Sequence, residues 1–292
     1  MHAKNQTVLG RAALLGCTFL WGTSFVVLKN TLDSMPALWI LAIRFFGAAA
    51  LMALFGATKL KQLDRGYWKG GIVMGVCLAV AYIIQTYGLV YTTPGKNAFL
   101  TATYCVIVPF LWWVIRHQKP DRYNAFAAFI CFIGMGLVSV QEDLSIGLGD
   151  AITVCCGFFY ALHIIATSSA AEGRDPVLLS MVQFLVAGVV TLVLAVCFVP
   201  FPDRVPSSVW GGIAYLCILC TGVCFLLQTL GQKYTPPAEV AIILTLESVF
   251  GTIISILFYH EKLTLQVACG FVLIFAAVLI SETKLEFLRK KS

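Results

Sequence analysis

Apolar residues run in ten stretches of about 18 to 23 positions, each long enough to cross a hydrocarbon core of about 30 Å. Their limits are 8 to 29, 37 to 57, 69 to 90, 97 to 116, 123 to 140, 148 to 168, 177 to 199, 208 to 230, 238 to 258 and 264 to 283. The connections between them are short and hold most of the charges. This pattern predicts an all-α membrane protein of ten transmembrane helices, and it leaves no room for a soluble domain.

The polar positions carry a second pattern. Gln85 to Pro94 reads Q-T-Y-G-L-V-Y-T-T-P and Gln228 to Pro237 reads Q-T-L-G-Q-K-Y-T-P-P, so Gln, Thr, Gly, Tyr, Thr and Pro recur 143 positions apart. Trp21 aligns with Tyr160 and Arg44 with Gln183 at an offset of 139, and Trp68-Lys69-Gly70 answers Trp210-Gly211-Gly212 at 142. The chain reads as a duplicated unit, with repeats at 8–140 and 148–283. Five spans per unit is an odd number, so the second copy enters the membrane from the opposite side and the repeats are inverted. Each half alone would expose polar residues to lipid, and burying them between the halves creates a cavity near the midplane.

Composition agrees with a lipid environment: 60% hydrophobic, 12% charged and a mean hydropathy of +0.90. The net charge of +6 resolves into a topology signal. With the N-terminus in the cytoplasm, fifteen basic residues lie on the inner side, among them Arg11, Lys61, Lys119, Lys233, Arg289, Lys290 and Lys291. The outer side holds only Lys29, Lys96, Arg204 and Lys262. Both termini are therefore expected in the cytoplasm of a plasma-membrane protein, with Asp143 and Arg204 facing out. This distribution excludes a nucleic-acid surface. The first stretch is too long for a cleaved signal peptide and lacks a small-x-small cleavage pattern.

Several of these segments resemble the EamA-type branch of the drug/metabolite transporter superfamily. The resemblance rests on W-G-T-S-F at Trp21 to Phe25, Pro36 followed by Arg44, and N-A-F-L-T-A-T-Y-C-V-I-V-P-F from Asn97 to Phe110. In the second half it rests on L-E-S-V-F at Leu246 to Phe250, H-E-K-L-T at His260 to Thr264, and Gly270. It covers almost the whole chain. One departure is Ser248, where the family usually has Pro, and a straighter ninth helix is expected from it. The resemblance implies a secondary carrier that moves small polar or amphipathic metabolites, such as amino acids, by alternating access and often outward, with no cofactor or metal. Its partners would be a small-molecule substrate and membrane lipid. Proton coupling and a homodimer are both compatible with it.

Independently of family, an intramembrane charge costs about 2.5 to 3.5 kcal/mol on insertion scales and usually faces an interior cavity. Two residues meet that test. Glu247 lies halfway along the ninth stretch and reads either as a group for a substrate ammonium or a proton, or as a structural carboxyl. Arg44 lies a third of the way into the second stretch. It is open to snorkelling, to pairing with Glu247, or to facing a substrate carboxylate.

At similar depth, Trp21, Tyr82, Tyr104 and Tyr160 form either an aromatic wall or ordinary packing. Gln85, Asn97, Thr101, Gln183 and Gln228 bind either ligand or neighbouring helices. His163 is a proton-relay candidate with packing as the alternative. Tyr91, Pro94, Tyr234 and Pro237, which close the repeated blocks, are gate candidates because Pro breaks a helix.

All 11 cysteines fall in apolar stretches, which excludes an extracellular disulfide framework. Cys217, Cys220 and Cys224 share a helix face by spacing, as either thiol chemistry or close packing would require. A membrane thiol oxidoreductase and a channel are the two alternative functions.

Overall fold

The computed structural model describes residues 2–139, 147–259 and 264–284. Asp143, the run His260 to Leu263 that includes Lys262, and Arg289, Lys290 and Lys291 lie outside the described residues. Among the described residues the chain is entirely helical: α1 His2–Leu32, α2 Ala37–Phe55, α3 Arg65–Val90, α4 Pro94–Thr101, α5 Tyr104–Arg116, α6 Arg122–Ser139 and α7 Leu148–Ala171. There follow α8 Pro176–Phe198, α9 Ser207–Tyr215, a wide π turn over Leu216–Val223, α10 Cys224–Gln232, α11 Pro237–Leu244, α12 Leu246–Tyr259 and α13 Leu265–Thr283. Pairs that run on end to end, α4 with α5, α9 with α10 and α11 with α12, form single rods. Eight rods are long and apolar enough to cross a membrane, while α6 and α13 contribute shorter apolar segments, Arg122–Gly134 and Ala268–Ser281.

Helix starts follow local chemistry. Asp64 caps α3 through Tyr67 N, Thr93 caps α4 ahead of Pro94, and Asp175 caps α8 ahead of Pro176. In each case a side-chain oxygen satisfies an otherwise unpaired N–H, and in α4 and α8 Pro occupies a first-turn position where its missing N–H costs nothing.

Packing runs mostly between the first and second halves of the chain. Helix α3 lies on α7 and α8, α2 on α8, α1 on α10 and α12, and α6 on α13. Large apolar side chains such as Phe55, Val114, Phe129, Phe198, Leu257 and Val272 point outward, as a lipid-facing surface requires. The W-G-T-S-F segment has a packing reason: a Cβ on Gly22 would lie 2.5 Å from Phe250 Cβ and 2.8 Å from Gly251 N, so only Gly lets α1 approach α12.

Two rods differ from the continuous helices that the sequence predicts. The fourth breaks between α4 and α5, with short-range bonds Ala102 N to Phe99 O (3.0 Å) and Cys105 N to Ala102 O (3.0 Å). The ninth breaks at Thr245, with Thr245 N to Ile242 O (3.2 Å) and Ser248 N to Thr245 O (3.0 Å). These bonds match one another at the 143-residue offset. Ser248 therefore does not straighten the ninth helix. Thr245 Oγ1 donates to Ile242 O (2.6 Å) and Ser248 Oγ to Thr245 O (2.7 Å), and such back-bonding bends a helix without proline.

Polar side chains gather at the two ends of the bundle. At one end Arg11 pairs with Glu239 (3.1 Å), Lys284 with Asp121 (3.2 Å), and Lys59 with Asp175 (2.7 Å). At the other, Lys29 Nζ donates to Leu89 O (2.7 Å) and Val90 O (3.0 Å), and Lys96 lies 3.8 Å from Asp150.

Candidate functional site

A narrow cavity of about 30 Å³ lies where α1, α3, α7 and α10 meet the broken rods. Of the residues predicted for a site, Trp21, Tyr82, Gln85, Thr101, Tyr104, Tyr160 and Glu247 line it. Gln228 does so as well. Arg44, Asn97 and Gln183 do not.

The helix breaks position the two central groups. Tyr104 opens α5 and Glu247 stands in the first turn of α12, so each begins a half-helix in the middle of its rod. A half-helix N-terminus presents unpaired N–H groups and the positive end of the helix dipole, which favours a carboxylate there. Tyr104 Oη donates to Glu247 Oε1 at 3.2 Å, and both residues are buried.

Around this pair, Gln85 is held by two bonds, donating to Thr101 Oγ1 (2.9 Å) and accepting from Tyr160 Oη (2.8 Å). Trp21 Nε1 donates to Cys220 O (2.8 Å), which fixes the indole with its ring against Phe225, centroids 4.9 Å apart. Tyr82 meets Tyr160 at 5.7 Å and Phe225 at 5.9 Å.

Arg44 has different partners from those its position suggests. It neither snorkels nor pairs with Glu247: it is fully buried, its Nε donates to Thr221 Oγ1 (3.1 Å), and its guanidinium stacks over the Tyr82 ring at 5.0 Å. Thr221 is placed by the π turn, where its hydroxyl donates to Leu216 O, five residues back (2.8 Å). Asn97 sits behind Gln85, donating to Gln85 O (3.1 Å) and Thr153 Oγ1 (2.8 Å). Gln183 meets His163 Nε2 at 2.9 Å, and neither residue lines the cavity.

The cysteine trio lies against the first half of the chain. The Cys217, Cys220 and Cys224 thiols approach the carbonyls of Arg44, Leu20 and Cys17 respectively. All 11 cysteines are free.

Ser24, Phe25, Ile164, Phe225 and Leu244 complete the wall. Sequence reasoning passed over them because apolar and small residues inside an apolar span carry no signal of their own. Phe225 was accessible only by analogy, since it falls at the repeat position of Tyr82.

The predicted gate residues stand at opposite ends of the cavity rods, each beside a close glycine contact. Gly149 packs on the Tyr91 and Gly88 backbone, where a Cβ would lie 2.7 Å from Tyr91 C and 2.8 Å from Gly88 O. Gly10 packs on Gly231 and Tyr234, where a Cβ would lie 3.2 Å from Gly231 O and 3.2 Å from Tyr234 Cβ. Pro94 and Pro237 are buried at the first turns of α4 and α11, and Tyr91 is exposed.

Among the described residues, an all-helical bundle with lipid-facing apolar rods around a polar-lined cavity defines an integral membrane protein. The EamA-like transporter family matches residues 8–140 and again 147–283, and the chain belongs to that family. It is a transporter and not an enzyme.

An uncharacterized transporter of Archaeoglobus fulgidus is 28% identical over 263 residues, covering 90% of this chain and 82% of its own length. The uncharacterized transporter YoaV of Bacillus subtilis is 21% identical over 277 residues, 92% of this chain and 94% of its own. A solved crystal structure that is 15% identical superposes with a TM-score of 0.78 over 98% of this chain and 99% of its own, a likeness of fold.

Proposed function

We propose that this protein is a secondary carrier of small polar or amphipathic metabolites, amino acids or related compounds among them. It works by alternating access across the plasma membrane, with both termini in the cytoplasm and export as the direction that the family resemblance implies. The observation that carries this reading is the Tyr104–Glu247 hydrogen bond at the cavity wall. The two residues are 143 positions apart, which is the repeat offset itself. A residue that meets its own counterpart supports a pseudo-twofold axis in the membrane plane through the cavity, the arrangement of a ten-span inverted-repeat carrier.

The two ends of the bundle support the same reading. Arg11 and Asp150 are related by the offset of 139, and Lys96 and Glu239 by that of 143, so the ion pairs Arg11–Glu239 and Lys96–Asp150 are repeat counterparts with their charges exchanged. One lies beside Tyr234 and the other beside Tyr91. In this scheme each closes one face, and a single cavity opens to only one side at a time because simultaneous opening would leak.

Reconstituted protein should give saturable transport of a metabolite. Crosslinkers near Tyr91 and near Tyr234 should report opposite distance changes when that substrate is added. Non-saturable flux would indicate a pore. Concerted movement of both ends, or movement of neither during transport, would remove alternating access. Labelling from the outside should reach position 204 and spare positions 61 and 119, and the reverse pattern would invert the topology.

A further inference from the structure

We infer that the cavity selects a protonated amine carried on a flat apolar body, in preference to zwitterions, anions and quaternary cations. This narrows the substrate class of the carrier proposed above and rests on that reading for its transport meaning, although the site itself is defined by its chemistry alone.

The charge around the cavity is one-sided. Among the described residues, Glu247 is the only acidic residue that lines it, and no Lys, Arg or His does. Arg44 stands behind Tyr82, its Nε bonded to Thr221, its Nη2 without a partner and its guanidinium stacked on that ring. His163 is packed on the far side of Phe225 with its Nε2 at Gln183. A carboxylate on the ligand would meet Glu247 with no cation in the lining to pair with, and burying an unpaired charge is costly. An ammonium supplies the charge that Glu247 lacks.

The hydrogen-bonding groups point the same way. Among the described residues, Tyr104 is the one hydrogen-bond donor to Glu247, through Oε1, which leaves the second carboxylate oxygen for a ligand. Gln228 is buried and lines the cavity, and its side-chain amide makes no hydrogen bond, the enclosed Oε1 included. Buried amide oxygens are almost always hydrogen-bonded, so this oxygen is an acceptor awaiting a donor. Two such acceptors, one on α12 and one on α10, suit an N–H-bearing ammonium better than a methylated one.

The remaining wall is aromatic. Trp21 has its N–H committed to Cys220 O and presents its ring, with Tyr82, Tyr160 and Phe225 alongside. Ring faces attract cations and cover flat apolar bodies, and neither property favours an anion.

A matched indole series tests the inference: tryptamine, tryptophan, indole-3-propionate and N,N,N-trimethyltryptammonium, each titrated onto the purified full-length protein by calorimetry and thermal shift. Tryptamine is expected to bind at least tenfold more tightly than tryptophan or indole-3-propionate, and several-fold more tightly than the trimethyl compound. Glu247→Gln should lose at least tenfold in tryptamine affinity, and Gln228→Leu should bring tryptamine and the trimethyl compound together.

Equal or tighter binding of tryptophan or the propionate, binding of none of the four, or tryptamine binding indifferent to Glu247→Gln in a folded variant would each overturn the inference. The wild-type ranking needs no variant, so a misfolded mutant leaves the test intact. Saturable transport of tryptophan with no preference for tryptamine would sink the amine site and leave the carrier standing. Selective tryptamine binding without saturable transport of any compound would do the opposite.

Discussion

Tyr104 Oη lies 3.2 Å from Glu247 Oε1, so the sole hydrogen-bond donor to this buried carboxyl, among the described residues, is the residue 143 positions earlier, at the repeat offset. Duplicated sequences generally let equivalent positions diverge independently. Here Tyr in one copy and Glu in the other form a donor and an acceptor that meet. Each stands at the start of a half-helix created by equivalent breaks, so the backbone irregularity and the polar pair arise from the same positions.

Glu247→Gln keeps the shape of the side chain and removes its charge. Transport should fall roughly tenfold or more, or lose its pH dependence, while the folded fraction stays near wild type. Tyr104→Phe removes the hydrogen bond to the Glu247 carboxyl, worth about 0.5 to 1.5 kcal/mol, and should weaken transport in the same direction. Both are read by initial rates in proteoliposomes beside the thermal midpoint. A loss of stability with unchanged transport would make the pair structural.

The charge-exchanged ion pairs should bias the carrier in opposite directions. Glu239 and Asp150 are the buried partners, with side chains 5% and 13% exposed, while Arg11 and Lys96 are 31% and 24% exposed. Partial exposure discounts each pair to about 1 kcal/mol at most, enough to shift a balanced equilibrium roughly fivefold. Glu239→Gln should raise the reactivity of a cysteine placed at Tyr234, and Asp150→Asn that of one placed at Tyr91. Equal effects at both positions from either variant would show that the pairs are ordinary surface contacts.

Glycine at the two crossing points should be irreplaceable for the same steric reason on both sides. A Cβ at Gly231 would lie 2.5 Å from Leu14 Cγ and 2.8 Å from Gly10 O, and one at Gly88 would collide with Thr153 Oγ1. Gly231→Ala and Gly88→Ala should each cost about 1 to 3 kcal/mol, as overpacking does, measured as a lower thermal midpoint in detergent. Gly211, where a Cβ meets nothing within 4 Å, is the control and should tolerate Ala.

Asp175 predicts an acid-sensitive helix start outside the spans. Burial alone would raise its pKa, but the hydrogen bond from Lys59 and those from the Val177 and Leu178 amides hold it below the ordinary carboxylate range. A depressed folded value means that the contribution to stability is present above the unfolded pKa, near 4, and is lost as pH falls through the folded one. Asp175→Asn keeps a capping oxygen and removes the ion pair, so it should flatten the stability profile below about pH 4. Asp175→Ala loses the cap as well and should cost a further 0.5 to 2 kcal/mol or so. Thermal midpoints of the three proteins across that window check both expectations.

What the sequence determined by itself was whatever follows from composition, period and repetition. Stretches of apolar residues must be helical in lipid because no other open structure satisfies its own backbone, and the all-helical fold follows. The depth of Glu247, the cost of placing it there, and the repeat that pairs it with Tyr104 were all readable from position alone. Trp21, Tyr82, Gln85, Thr101 and Tyr160 were legible for a related reason: polar or amphipathic side chains at mid-span seldom face lipid.

The tertiary structure decided which of those side chains share one cavity. Arg44 looked as eligible as Glu247, yet the π turn brings Thr221 within reach of its guanidinium and Tyr82 closes over it, and no periodicity in the residues 216–223 marks that turn. Asn97 and Gln183 went to neighbouring helices for the same reason, because their partners, Thr153 and His163, lie 56 and 20 residues away in sequence. Helix breaks at Ala102 and Thr245 arise from hydroxyls that bond backward, a choice that packing across the bundle settles. Phe225, Ile164 and Leu244 joined the wall because three-dimensional neighbours put them there, and an apolar residue in an apolar span gives no advance sign of which way it will face.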